Sequence, residues 1–368
     1  MATNFLDFKK LMIRAIELAE KGKGYVSPNP LVGAIIVKHR KILAEGFHHK
    51  YGDNHAEVDA INKLDDSQLI GSTLIVNLEP CSHYGKTPPC VDLIIQKKIK
   101  KVIIGMEDPN PLVAGKGIKK LKDAGIEVIT GIEEEKSKWL NRAFIKYITT
   151  KIPYIVLKSA QSLDGKIALT TGESKWITSF ESRKYVHQLR AELDAVLVGK
   201  NTVKYDNPSL DVRYIDGRNP KKIILDSNLE LDLNYKIFNE NLEDDVILCH
   251  SEKVENLKKI QLLNKKGIKL LACKVDRYNK INLLNCLKQL YEKFNIGSIL
   301  VEGGSEIFSS FVKNNLVDEI HLFIAPIIIG KGQNSFDNLM IKKLNEAKRF
   351  KIKDFNNLQD DLHIILTK

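Results

Sequence analysis

Four residues have the types and spacing for metal-assisted hydrolysis: His55, Glu57, Cys81 and Cys90. His55-Ala56-Glu57 opens a stretch that reads as a short helix. Cys81 follows Pro80 at the end of the run TLIVNLEP, and Cys90 closes the segment CSHYGKTPPC. One imidazole and two thiolates leave a fourth tetrahedral position open on zinc, as a catalytic site needs. Zinc held there lowers the pKa of a water toward ~7. Glu57, beside the metal but not on it, then ferries a proton from that water to a leaving amine. Cys90 stands at an expected helix start, where the dipole favours a thiolate. The pattern H-x-E…P-C-x-x-C supplies such a ligand set and carboxylate with two residues between the cysteines. Here, however, eight residues separate the two cysteines. By themselves these residues leave two alternatives open. One is a structural zinc with His83 as fourth ligand. The other is a chance His-Glu pair with two buried cysteines.

The second half of the chain carries weaker chemistry. In SILVEGGSEIFSSFV an apolar strand ends in Glu302-Gly303-Gly304-Ser305 and an apolar helix begins. Small residues at a helix N-terminus let backbone N–H groups approach a phosphate. A tight turn with no ligand explains them equally well. The segment GESKWIT offers Trp176 among polar residues, as a ligand platform or as half-buried packing. No G-x-G-x-x-G follows a strand, so a Rossmann domain is not indicated.

Elements must position these groups. Apolar residues at helical spacing over residues 5–20 predict a helix. Strands are expected at Val32–Val37, Thr73–Leu78, Lys101–Gly105 and Glu127–Thr130. Helices are expected near His55, at Cys90–Lys97 and at Gly117–Ala124. Alternating strands and helices predict an α/β layer domain. A polar helical segment, Glu133–Tyr147, then leads to Ile152-Pro153, and the junction is placed near residue 149. Beyond it, strand signals at Tyr154–Lys158, Ala195–Val198, Lys222–Asp226, Val246–Cys249, Ile268–Leu271, Ser298–Val301 and Glu319–Ile324 predict a second α/β domain. The expected organisation is therefore residues 1–149 and 150–368.

The chain has 368 residues, 43% hydrophobic and 28% charged, which suits a globular protein and two domains. Five dispersed cysteines argue against a disulfide scaffold and for a reducing compartment. The N-terminus reads as an amphipathic helix, and no apolar run could cross a bilayer. The cytoplasm is the expected location. The net charge of +11 is spread without a basic stripe. A solvated basic surface explains it first, a phosphorylated small molecule next and nucleic acid last.

The motifs NPLVGAIIVK, HAEVDAI, NLEPCSHYGKTPPC, EDPNPLVAGKG, SLDGKIA and GESKWIT together resemble the bifunctional riboflavin-biosynthesis deaminase-reductase family. The resemblance runs from about residue 5 to residue 368, and the long loop between the cysteines matches that family's pattern. It implies a cytidine-deaminase-like three-layer domain followed by a dihydrofolate-reductase-like α/β domain. It implies zinc on His55, Cys81 and Cys90, with Glu57 as proton shuttle. It implies a phosphorylated pyrimidine substrate, 2,5-diamino-6-(5-phosphoribosylamino)pyrimidin-4(3H)-one. That substrate is deaminated first, and its ribosyl group is then reduced to ribityl with NADPH. Asn29, His48, Lys86 and Thr87 match positions that contact the pyrimidine or phosphate. Ala160, Trp176, Thr202, Asp206, Ser227 and the run Gly304, Ser305, Glu306, Ile307, Phe308, Ser309 and Ser310 match NADPH positions. Ser174, Arg190, Leu210, Arg213 and Glu302 match substrate positions. Two arginines suit a phosphate, which a guanidinium binds bidentately. Lys158 and Asp206 are polar groups expected near hydride transfer. The resemblance also implies a homo-oligomer. A rival reading is a nucleic-acid or nucleoside deaminase with an accessory binding domain. The cysteine spacing and the long second domain weigh against it.

Overall fold

The computed structural model describes residues 7–84, 88–111, 113–240, 245–337 and 339–368. The chain divides into two compact units, residues 1–151 and 152–368. Among the described residues no helix is long and apolar enough to cross a membrane.

The first unit runs α1 (Phe8–Glu20), β1 (Gly33–Lys38), β2 (Lys41–Phe47), α2 (Ala56–Ile61), α3 (Asp66–Leu69), β3 (Thr73–Leu78), α4 (Cys90–Gln96), β4 (Lys101–Met106), α5 (Lys116–Asp123), β5 (Glu127–Thr130), α6 (Glu134–Leu140) and α7 (Arg142–Thr150). Its sheet has the order β2-β1-β3-β4-β5. β1 is antiparallel to β2 and β3, while β3, β4 and β5 run parallel. Strand side chains alternate between faces, and both faces of this sheet are covered. Ile35, Val37, Ile75 and Ile103 pack on Met12, Ala15 and Leu18 of α1. Ala34, Ile36, Val76 and Ile104 pack under α2, α4 and α5. The result is a three-layer α/β/α unit with the ends of β3 and β4 beside the starts of α4 and α5. Gly33 permits the close seat of α1: a Cβ there would stand 2.0 Å from the Ala15 carbonyl oxygen.

The second unit contains β6 (Tyr154–Ser162), β7 (Lys166–Leu169), α8 (Phe180–Glu192), β8 (Ala195–Gly199), α9 (Lys200–Asp206), β9 (Lys221–Leu225), β10 (Val246–Ser251), α10 (Leu257–Lys265), β11 (Lys269–Cys273), α11 (Leu283–Phe294), β12 (Ser298–Val301), α12 (Ser305–Lys313), β13 (Glu319–Ala325), β14 (Gly332–Asn334), β15 (Lys351–Leu358) and β16 (Asp361–Thr367). Its main sheet is ordered β11-β10-β9-β8-β12-β6-β13-β16-β15. The strands from β11 to β13 are parallel, and β16 and β15 close the edge antiparallel. Continuous apolar strands such as Ala195–Gly199, buried throughout, are what a sheet covered on both faces requires. One face packs against α11 and α12, the other against α9, α10 and the connecting loops. Glu302 follows the last residue of central β12, and Gly303 and Gly304 link it to α12.

The expected helix at Glu133–Tyr147 is two helices. Asn141 ends α6 and starts α7. Its side chain accepts the Leu31 N–H at 2.8 Å and donates to the Leu31 carbonyl at 3.0 Å. A tertiary contact 110 residues away sets this break, so helical periodicity could not reveal it.

Candidate active sites

In the first unit the chemistry gathers at the ends of β3 and β4. His55 is the N-cap of α2, in extended conformation, and Glu57 lies in its first turn. Cys81 follows β3, and Cys90 is the first residue of α4, behind Pro89. His55 Nδ1 lies 3.3 Å from Cys90 Sγ and 3.5 Å from Cys81 Sγ. The Cys81 sulfur accepts the Cys90 backbone N–H at 3.3 Å. The three ligand atoms fall within 4.8 Å of one another. Hydrogen bonds from Cys90 and His55 lower the Cys81 pKa, favouring its thiolate, whereas the contact with Cys81 and burial raise the Cys90 pKa despite its place at a helix start. Two sulfurs and one imidazole on converging elements fit zinc with a position to spare. His83 is exposed and outside this group, so the structural-zinc alternative lacks its fourth ligand.

Glu57 is only 3% exposed, and burial raises its pKa, with Cys81 adding to the effect. A carboxyl so placed takes up a proton readily. His48 is fixed as one tautomer. Its Nδ1 donates to the Asn54 carbonyl at 2.9 Å, so its Nε2 accepts from Asn29 Nδ2 at 3.2 Å. Burial lowers the His48 pKa and keeps the ring neutral. Asn29 and His48 thus form one unit, 5.6 Å ring to ring from His55. Lys86 and Thr87 lie outside the described residues.

Glu79, two residues before Cys81, is a structural anchor that its residue type alone does not reveal. Its carboxylate is buried and accepts four backbone N–H groups, from Asp108, Gly115, Gly117 and Ile118, at 2.9–3.1 Å. One side chain therefore ties the segment after β4 to the strand that delivers Cys81. That segment carries Asp108, whose pKa burial raises to about 6. The motifs NLEPC and EDPNP contain both residues. The backbone partners, 29 to 39 residues downstream, leave no mark on side-chain type.

In the second unit a cleft of about 1900 Å³ opens at the C-terminal ends of the parallel strands. Every reductase-half position singled out from the sequence lines it: Lys158, Ala160, Ser174, Trp176, Arg190, Thr202, Asp206, Leu210, Arg213, Ser227, Glu302 and Gly304–Ser310. α12 starts in the cleft with Gly304 as its N-cap, which aims free backbone N–H groups at any phosphate there. The two arginines have different surroundings. Arg190 Nε and Nη2 grip Glu302 at 2.6 and 2.9 Å, and Nη1 donates to the Asp211 carbonyl at 3.0 Å. Arg213 pairs with Asp211, and its side chain is 46% exposed. Burial lowers the Lys158 pKa against the pull of nearby Glu302. Burial raises that of Asp206. His187 also lines the cleft, unflagged by the sequence because a lone histidine on a helix has no signature.

A separate sulfur group, Cys249, Cys273 and Cys286, lies in the apolar core between β10, β11 and α11. Buried cysteine there packs as a small hydrophobe.

A His-x-Glu at one helix start and a cysteine at another, over a three-layer sheet, define a zinc-dependent deaminase unit. A second α/β unit with its own cleft follows it. Residues 7–106 match the cytidine and deoxycytidylate deaminase zinc-binding region, and residues 153–364 match the RibD C-terminal domain. The riboflavin biosynthesis protein RibD of Aquifex aeolicus is 45% identical, with 98% of each chain covered. That of Escherichia coli K12 is 35% identical, covering 96% of this chain and 98% of the relative. The solved RibD of Acinetobacter baumannii superposes with a TM-score of 0.87 at 38% identity, covering 98% of both chains. A deaminase/reductase structure from Thermotoga maritima gives 0.86 at 42% identity, also covering 98% of both. The chain belongs to the RibD family of bifunctional riboflavin-biosynthesis enzymes. It joins a zinc-binding, cytidine-deaminase-like domain to an NADPH-using reductase domain of dihydrofolate-reductase-like fold.

Proposed function

We propose that the chain hydrolyses the 2-amino group of 2,5-diamino-6-(5-phosphoribosylamino)pyrimidin-4(3H)-one and then reduces the ribosyl group to ribityl. The product is 5-amino-6-(5-phosphoribitylamino)uracil. The observation that carries this reading is the convergence of His55, Cys81 and Cys90 beside buried Glu57, in a chain that a relative matches over 98% of its length. Residues 1–149 carry the deamination and residues 150–368 the reduction.

His55, Cys81 and Cys90 hold the zinc, which when bound supplies a Lewis acid that acidifies a water. Glu57 takes a proton from the attacking water and returns it to the exocyclic nitrogen, which leaves as ammonia. Asn29 and His48 hold the pyrimidine through polar contacts. Lys86 and Thr87, in the loop between the cysteines, hold its phosphate.

In the reductase cleft Ala160, Trp176, Thr202, Asp206, Ser227 and the start of α12, residues 304–310, hold NADPH, which supplies the hydride for C1′. Ser174, Arg190, Leu210, Arg213 and Glu302 form the site for the ribosyl-phosphate moiety. Arg213, the more exposed arginine, meets the phosphate. Arg190, tied to Glu302, shapes the floor. Ring opening requires a proton at the ribose ring oxygen, and Lys158 and Asp206 are the titratable groups that hold one there.

The substrate is a small molecule rather than a nucleic acid, and the enzyme acts in the cytoplasm as a homo-oligomer. The scattered positive charge and the long loop between the cysteines support the first point, and family resemblance the others. The decisive experiment incubates pure protein with the diamino substrate and NADPH and follows ammonia and NADPH separately. Ammonia should appear without NADPH, and NADPH oxidation should require the deaminated product. Glu57→Gln should keep its zinc and stop releasing ammonia. Release at the normal rate by that variant would refute the assigned shuttle.

A further inference from the structure

α8 brings His187 and Arg190, one helical turn apart, to the reductase cleft. Both are tied to the segment that carries Arg213. Residues 207–220 contain no helix or strand, and Leu210 within them has φ of 53°. A segment with so little local structure depends on side-chain contacts to keep its place. Arg190 supplies one, to the Asp211 carbonyl. His187 supplies another: the Arg213 backbone N–H donates to its Nδ1 at 3.1 Å. Since Nδ1 accepts, the ring proton sits on Nε2. The His187 ring lies 4.4 Å from that of Tyr214. The Arg213 guanidinium in turn sits 5.0 Å over the Tyr214 ring.

We infer that His187 is a positioning residue of the reductase: by accepting the Arg213 N–H and packing against Tyr214, it holds the Arg213 guanidinium where the substrate phosphate binds. The inference rests on the reading of Arg213 as a phosphate ligand. Burial, with Arg190 and Arg213 adding repulsion, lowers the His187 pKa to about 4. The ring is therefore neutral near neutral pH and accepts without competing for the anion.

The test is steady-state kinetics on the zinc-loaded full chain, with the deaminated phosphorylated substrate and NADPH varied in turn. His187→Phe keeps a ring but removes the acceptor, and His187→Asn returns an oxygen near the Nδ1 position. Stranding a part-buried N–H and loosening the segment is worth about tenfold. His187→Phe should therefore raise KM for the phosphorylated substrate about tenfold, with kcat and the KM for NADPH nearly unchanged. His187→Asn should recover most of the loss. In an Arg213→Ala background, His187→Phe should add nothing further. If Arg213→Ala raises KM but the double variant is worse by the full single effect, His187 does not act through Arg213 and the inference falls alone. If Arg213→Ala leaves KM unchanged, the phosphate reading falls and the inference with it. Failure of His187→Asn to rescue, with a normal melting temperature, also overturns it.

Discussion

Removing Glu302 should strand Arg190. The two side chains are 12% and 11% exposed and meet through two charge-assisted hydrogen bonds of 2.6 and 2.9 Å. Burial pushes the Glu302 pKa up, and Arg190 more than cancels that push, holding the carboxyl below its ordinary value. In Glu302→Ala the mostly buried guanidinium loses both carboxylate hydrogen bonds and keeps the one to the Asp211 carbonyl, at the edge of the cleft. Breaking a buried pair from one side costs about 3–5 kcal/mol, because the surviving charge is uncompensated. In a unit of residues 152–368, each kcal/mol shifts the melting temperature by about 2–4 °C, so a drop of about 6–20 °C is expected. The assay is calorimetric melting of the full chain, with the second unit's transition identified by its response to NADPH. The companion variant is Glu302→Met with Arg190→Met, which removes both charges. Replacing a whole buried pair by apolar groups is often neutral or stabilising, so the double variant should melt above the single one. A single-variant loss below about 1 kcal/mol would mean that solvent screens the pair. A double variant no better than Glu302→Ala would mean that the loss is not one of uncompensated charge.

The stability of the second unit should fall in mild acid through its histidines. His187 and His363 both have folded pKa values lowered to about 4, mainly by burial. The unfolded chain thus binds protons that the native state refuses between about pH 6.5 and 4, so stability rises with pH across that window. Each site contributes at most about 3 kcal/mol. NMR titration of His187 near 6.5 would remove its share, and the acid slope should flatten in His187→Asn. In the first unit, Glu79→Gln puts an amide where four N–H groups converge, and should cost about 3 kcal/mol. Ammonia release should fall as the Asp108 segment loosens. An unchanged melting curve would show that the segment holds itself. Zinc removal by a chelator should abolish ammonia release and lower the first unit's melting temperature while NADPH still binds, and added zinc should restore both.

Legibility in the sequence followed how local each determinant is. Ala195–Gly199, Val246–Ser251 and Thr73–Leu78 are central strands buried almost throughout, so their apolar runs announced them. The edge hairpin did not: β15 is exposed at every residue but the last, and its polar run KIKDFNNL carries no burial signal. β2 was missed for a different reason: its buried positions hold the small residues Ala44 and Gly46 while Ile42 is exposed, so residue type does not follow the alternation in burial. The insertion of β12 between β8 and β6, which puts Glu302 beside Lys158 on the neighbouring strand, is a long-range choice that periodicity does not encode.

The zinc site was legible because its chemistry depends on side-chain type at short spacing: a histidine at a helix start, a carboxylate two residues on, a cysteine behind proline. The groups around it use other means. Glu79 works through backbone N–H groups, which every residue but proline owns, so its partners are invisible until the chain folds. His48 becomes a defined donor and acceptor only when Asn54 and Asn29 reach it. Arg190 and Arg213, equivalent as sequence symbols, separate only in space. One is committed to a buried carboxylate, while the other is carried on an irregular segment held by a backbone hydrogen bond to His187. Reacting groups are therefore readable from type and spacing. The groups that aim them work through backbone and long-range contacts, which is why those emerge only from the structure.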